Sequence, residues 1–137
     1  MNPCITYSEI RVRYRETDQM AVAWHGNYIE WFEVARTDWL REQGLSYREL
    51  EERGVLLPVL RVLCEYTSPA RYDDILVIET KLQSYNGLRL VFSYTARAPQ
   101  ENLVIARGQT DHAFTNAALR PIRVARSEPE IHRFLEG

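Results

Sequence analysis

What is scarce in this chain narrows it first. Of 137 residues one is lysine, Lys81, and two are cysteine, Cys4 and Cys64. Acidic residues (19) slightly outnumber basic ones (17), leaving a net charge of −2. A nucleic-acid binder draws much of its affinity from released counterions and usually carries a basic surplus. There is none here, so no nucleic-acid partner is expected. Two isolated cysteines make no disulfide framework, and neither has metal-ligand spacing with a second cysteine or a histidine. Cys64 lies in an apolar run, where a free thiol behaves as a small hydrophobe. No apolar run approaches the roughly 18 residues that span a bilayer, and the N-terminus lacks the basic and apolar regions of a signal peptide. These absences predict a cytoplasmic protein with no membrane partner. No Pro/Ser/Gly-rich linker, repeat or low-complexity tract interrupts the chain, which predicts one domain over residues 1–137. The near-exclusive use of arginine has two readings, genomic composition bias or guanidinium forks for phosphate, and composition does not separate them.

What is present is a change of hydrophobic period. Ile10, Val12 and Tyr14 share one parity and predict a strand over Ile5–Tyr14. From Tyr28 to about Gln43 the spacing turns helical, with Tyr28, Trp31, Phe32, Ala35, Trp39 and Leu40 on one side and Glu30, Glu33, Thr37 and Arg41 on the other. Asn27 stands where an N-cap is expected and Gly44 where a C-terminal cap is. A shorter helix is predicted from Ser46 to Arg53, ended by Gly54. Strand parity then recurs at Leu60–Tyr66, Leu76–Leu82, Leu90–Ala96 and Val104–Phe114. Asn86-Gly87 between the second and third of these predicts a type I′ hairpin turn. Small residues Ala106 and Gly108 predict close approach of a helix to that strand. Ile122–Val124 reads as a short strand and Glu128–Leu135 as a closing helix. One long helix that apolar must be wrapped by the sheet, which gives an α+β class: an antiparallel sheet around one central helix.

Chemistry concentrates at one place. Asp18 lies between a strand and a helix start and is followed by the apolar stretch Met20–Trp24. Such a position can desolvate a carboxylate and suit it to general-base work; a turn-forming Asp is the alternative. The helix beginning seven residues later, at His25-Gly26-Asn27, offers unpaired N–H groups and a positive dipole end that stabilise a developing oxyanion. A carboxylate and a helix N-terminus flanking one carbonyl carbon suit attack on an ester or thioester. A metal is not expected, because His112 and His132 have no ligand spacing with His25. No serine lies in a nucleophile-elbow context. His112 reads as a satisfied core histidine, and Glu33 as either a pocket residue or a helix-surface one.

The run "YRETDQMAVAWHGNYIEWFEVAR", Tyr14 to Arg36, resembles the signature of the 4-hydroxybenzoyl-CoA thioesterase family, particularly its bacterial acyl-CoA thioesterase branch. The shared frame is Glu16-Thr17-Asp18, an aromatic residue, His25, Asn27-Tyr28 and the helix with Phe32-Glu33 and Ala35-Arg36. Downstream, "PVLRVLCEYTSPARYDDILVIET" is similar to the family's second block and "RPIRVA" to its closing strand. The resemblance implies a hot-dog fold and hydrolysis of an acyl-CoA thioester, with coenzyme A as part of the substrate and no separate cofactor. It places Asp18 on the catalytic aspartate, as nucleophile or as activator of water. The backbone N–H at His25 falls where the family polarises the thioester oxygen, with the imidazole as a helper where some members carry Tyr. Tyr28 lies in the shared frame, and Glu33 falls at a position that faces the acyl pocket in relatives. Trp31, Phe32 and Trp39 suggest an apolar or aromatic pocket. Arg89 and Arg120 are the candidates for the coenzyme A phosphates, ahead of Arg123. Such relatives build the site between subunits, so a homodimer or homotetramer is expected. Ala21 departs from the usual Gly, so a positive φ there would require the loop to adjust; Gln19-Met20 also alters the loop. A non-catalytic acyl-binding module and a hydratase on the same fold are the alternative functions.

Overall fold

Five strands hydrogen-bond into one antiparallel sheet in the computed structural model, which describes residues 5–136; Cys4 lies outside them. The strands are β1 (Thr6–Arg11), β2 (Val59–Tyr66), β3 (Ile75–Tyr85), β4 (Arg89–Ala98) and β5 (Leu103–Ala113), in the spatial order β1-β3-β4-β5-β2. The long helix α1 (Asn27–Glu42) precedes most of the sheet in sequence, followed by α2 (Tyr47–Glu52); α3 (Val124–Ser127) and α4 (Pro129–Glu136) close the chain. Register decides which residues meet α1. Leu90 pairs with His112, Phe92 with Thr110, Tyr94 with Gly108 and Ala96 with Ala106. Paired residues share a face, and this face is buried almost throughout. The helix answers with Tyr28, Trp31, Phe32, Ala35, Trp39 and Leu40, all buried, at the spacing of a broad helical stripe. The sheet thus wraps an apolar helix: the α+β hot-dog fold.

Close approach governs the contact. Phe32 stacks on Tyr94 at 4.5 Å with an interplanar angle of 10°, and a Cβ at residue 108 would overlap the Phe32 ring. Gly108 is therefore small because a ring occupies the space where its side chain would be. Trp31, Phe32 and Trp39 are core residues rather than pocket walls: the indole of Trp39 packs edge-on to Phe92 at 5.0 Å. Arg36 falls on the same stripe, one turn past Phe32, and is only 6% exposed. Its guanidinium donates to the hydroxyls of Tyr47 (2.7 Å) and Tyr94 (3.1 Å). Tyr94 continues through Thr110 to His112, whose Nδ1 lies 3.2 Å from the Leu57 carbonyl. His112 is thus the satisfied core histidine its strand position predicted.

Several local expectations change. The N-cap of α1 is Gly26, and Asn27 makes no cap bond; its side-chain amide instead reaches the Glu16 carbonyl at 2.6 Å. Ser46 does cap α2, its hydroxyl accepting from the Glu49 N–H at 3.1 Å. The first strand stops at Arg11, and Tyr14–Glu16 forms a 3-10 turn. At Asn86-Gly87 only Gly87 has positive φ, so the turn is not type I′. The Asn86 side chain accepts from the N–H groups of Leu88 and Arg89 and closes a longer loop. Ile122–Val124 forms no strand; the neighbouring Pro121 makes a single bridge to Thr115, and Val124 begins α3.

β2 is one end of the sheet. It pairs with β5 on one side, and Val59, Leu60, Val62, Leu63 and Tyr66 are 38–49% exposed. No helix among the described residues is long and apolar enough to cross a membrane.

Candidate functional site

The site is a tight hairpin between β1 and α1. After the 3-10 turn the chain doubles back: Thr17 bridges Ala23, the Asp18 N–H bonds the Val22 carbonyl (2.9 Å) and the Trp24 N–H bonds the Glu16 carbonyl (2.8 Å). The tip closes with Ala21 N–H on the Asp18 carbonyl and Met20 N–H on Asp18 Oδ1, both 2.9 Å. Ala21 takes φ 64°, the left-handed conformation that glycine adopts without cost. The loop keeps its shape without a glycine, at the expense of strain. Ala23 clips the hairpin to the β2–β3 connection through the Ala70 carbonyl (2.7 Å).

Glu16 holds the base of the hairpin. It is 5% exposed, and its carboxylate accepts from the Arg13 N–H (2.7 Å), the Arg13 guanidinium (3.3 Å) and the Trp31 indole (3.0 Å). Burial works to raise its pKa. The bonds from Arg13 and Trp31, with the charge of Arg13, outweigh that and hold the group below the usual carboxylate range.

Asp18 and His25 come together in one cavity of about 340 Å³, with Met20, Val22, Tyr28 and Tyr66 among its walls. At the helix start the Asn27 N–H bonds the Trp24 carbonyl (3.0 Å) and the Tyr28 N–H the His25 carbonyl (3.3 Å). The N–H groups of His25 and Gly26 make no hydrogen bond among the described residues, which is the state expected of a helix's first donors. Tyr66 donates to the His25 carbonyl (2.9 Å) and steadies that peptide. Gly26 has ordinary helical φ, but a Cβ there would overlap the Trp24 ring. Burial pushes the Tyr28 hydroxyl up to about 12 and raises that of Tyr66 as well, so both phenols stay protonated at neutral pH. Asp18 is half-buried in the single chain, less desolvated than its apolar surroundings in sequence suggested.

The other predicted site residues lie elsewhere. Glu33 is exposed on α1, one turn beyond Ile29, and does not line this cavity. Arg89 begins β4, at the end of the sheet where Tyr85, Leu90, His112 and Val59 align; Tyr66 and the Asp18 cavity are at the other end. Arg120 is exposed in the turn organised by Asn116. A second cavity of about 930 Å³ opens at that far end and is lined by Arg123 and Arg126, not by Arg89 or Arg120. Sequence reasoning gave no role to Tyr66, and quoted Glu16 and Arg36 only as parts of the shared frame. No capping-box signature marked Glu16, because an arginine at residue 13 has no acceptor to complete one; helical spacing from Phe32 was a signal for Arg36. Nothing local announced Tyr66, which reaches His25 from 41 residues away. Among the described residues no three His, Cys, Asp or Glu side chains gather as metal ligands.

The profile of the thioesterase-like superfamily matches residues 12–135, spanning the hairpin, α1 and the whole sheet except β1. The chain belongs to the thioesterase-like superfamily. Among its relatives is YneP of Bacillus subtilis (strain 168), named as a candidate acyl-CoA thioesterase; it is 33% identical over 132 residues, 96% of each chain. The acyl-CoA thioester hydrolase YbgC of Escherichia coli O6:H1 is 38% identical over 93 residues, covering 68% of this chain and 69% of that one. Among solved structures, the DHNA-CoA thioesterase of Staphylococcus aureus superimposes with a TM-score of 0.90 at 33% identity, covering 94% of this chain and 87% of that one. Within this thioesterase-like chain, the hairpin that carries Asp18 and the start of α1 both lie inside the matched region.

Proposed function

We propose that the protein is an acyl-CoA thioesterase, with Asp18 as nucleophile or general base and the His25 N–H polarising the thioester carbonyl. The observation that carries this is the shared cavity: a carboxylate on one hairpin arm and an unpaired helix-start N–H on the other. The names of the relatives point the same way. Attack on the carbonyl carbon puts negative charge on its oxygen, and an N–H at the positive end of α1 stabilises that charge. As a base, Asp18 takes a proton from water while the water oxygen forms the new C–O bond. As a nucleophile, it forms a mixed anhydride that water then opens. In both routes the C–S bond breaks, the sulfur leaves with the electron pair and gains a proton, and the products are the free acid and coenzyme A. Tyr28, protonated and buried, serves as a wall beside the reacting group.

The working unit of the proposal is a homodimer, or a tetramer built from two. An apolar edge strand exposed along its length invites a second copy, and β2 is such a strand. Antiparallel two-fold pairing would set the Val59 end of one β2 beside the Tyr66 end of the other. The second copy's Arg89 would then lie at the Asp18 end of the first sheet, three strand spacings or about 14 Å from the first β2, with its Arg120 at the same end. That supports these arginines as phosphate contacts in trans, where a single chain keeps them from Asp18. Glu33 stands on the flank of α1 opposite Asp38, which bonds Ser8 of β1, so it faces the β2 side where the acyl group would run.

The test is thiol release from a panel of acyl-CoAs, short aliphatic, long aliphatic and aryl. Asp18→Asn is expected to lose about 100- to 10,000-fold in rate, while Glu51→Gln, exposed on α2, is expected to change little. Substantial hydrolysis by Asp18→Asn would refute the assignment. Single turnover in oxygen-18 water identifies a nucleophilic Asp18 when water opens the anhydride at the Asp18 carboxyl carbon. The first product then carries an unlabelled oxygen from Asp18, whereas a general-base route labels it. Sedimentation of the same preparation as a monomer would remove the pairing along β2.

A further inference from the structure

Five donors from four residues converge on Glu16. Its carboxylate accepts the Arg13 N–H, the Arg13 guanidinium and the Trp31 indole. Its main-chain carbonyl accepts the Trp24 N–H (2.8 Å) and the Asn27 side-chain amide (2.6 Å). These donors belong to both sides of the loop: Arg13 precedes Asp18, whereas Trp24, Asn27 and Trp31 surround the start of α1. Asp18 is two residues beyond Glu16 on one arm, and His25 directly follows Trp24 on the other.

The chemistry of the group matters as much as its place. A buried carboxylate is costly unless its lone pairs are met, and here donors meet both oxygens. An ionised carboxylate accepts from every side, whereas an amide of the same shape must turn a donor toward one of these N–H groups. Holding two loop arms together does not by itself require a charge, since the Thr17–Ala23 bridge and the Asp18–Val22 bond already pair them. What the carboxylate adds is a link from the hairpin base to the body of α1 at Trp31, one turn into the helix from Asn27.

We propose that Glu16 is the positioning residue of the thioester reaction. Its carboxylate acts through Arg13 and Trp31, beside the main-chain bonds from Trp24 and Asn27, to fix the separation between the Asp18 carboxylate and the His25 N–H, and touches no substrate itself. This rests on the roles proposed above for Asp18 and His25.

The experiment is steady-state hydrolysis of one acyl-CoA by Glu16→Gln, Glu16→Asp and Trp31→Phe, beside Asp18→Asn, with thermal unfolding of each. Displacing a catalytic group by 1 Å can cost about 100-fold, so Glu16→Gln is expected to lower kcat by about 30- to 100-fold while KM shifts less than about threefold. Glu16→Asp, which keeps the acceptors, is expected to recover most of the rate. Trp31→Phe removes one donor and is expected to lower kcat less. Combined with Glu16→Gln it is expected to add little further loss, because both cut the same link. If Glu16→Gln does not fold, Trp31→Phe decides alone: a drop in kcat at unchanged KM supports the role and an unchanged kcat overturns it. A folded Glu16→Gln at full kcat overturns it too, as does a Glu16→Asp no better than Gln. Should Asp18→Asn stay active, the proposed role of Asp18 falls and this role with it. Should Asp18→Asn be inactive while Glu16→Gln is unimpaired, only the role of Glu16 falls.

Discussion

Gly108→Ala tests the packing that seats the central helix. The added methyl would lie 2.6 Å from Cζ of Phe32, and closer still to Cε2. Neither neighbour can yield easily: Phe32 and Tyr94 are both buried and stacked on one another, and Gly108 is held in register opposite Tyr94 and Cys64. Overpacking of this kind costs about 1–3 kcal/mol. At about 2.1 cal/mol/K per residue the unfolding entropy of a chain this size is roughly 0.3 kcal/mol/K, so a loss of about 2 kcal/mol lowers Tm by about 7 °C. The assay is thermal unfolding at fixed protein concentration, since association would otherwise move Tm. Phe32→Leu in the same background gives the sharper result. Each change alone destabilises, one by crowding and the other by a void, so the pair together is expected to cost less than the sum by about 1 kcal/mol or more. A Gly108→Ala protein with unchanged Tm would show that the sheet does not meet α1 as closely as the geometry requires.

Two further outcomes follow from single residues. Burial, then the charge of Arg36, depresses His112 to about 4. The unfolded chain therefore binds a proton that the folded one refuses between about pH 6.5 and 4, so stability falls as pH drops through that window and is unaffected by this group above it. The full penalty is about 3 kcal/mol, and His112→Gln is expected to flatten the dependence of Tm on pH over the same range; an equal slope in the variant would exclude His112 as its source. Ala21→Gly relieves a left-handed φ of 64° that costs an L-residue about 1–2 kcal/mol. After the entropy lost by glycine, a Tm gain of about 2–3 °C is expected, and a decrease would mean that the Ala21 methyl makes a contact outweighing the strain.

The sequence by itself determined the elements and the faces they bury. Helical spacing from Tyr28 to Leu40 located α1, period-two runs located β2 to β5, and Gly108 announced a close contact before its partner was known. Asp18 and His25 were legible because they are near neighbours in the chain and their meeting needs only a local turn. Where local signals failed, longer-range partners had intervened: Asn27 gave up its capping role for the Glu16 carbonyl, and Trp31 turned from pocket wall to core by bonding the same residue. Tertiary structure alone decided that Tyr66, from a distant strand, supports the His25 peptide, and that Arg89 and Arg120 stand at the far end of the sheet from Asp18. It also decided which hydroxyls, those of Tyr47 and Tyr94, receive the Arg36 guanidinium. The physical reason is common to all of these. Periodicity records how a residue relates to its own helix or strand, whereas a hydrogen bond between elements depends on strand order and register, which are set only when the sheet closes over the helix.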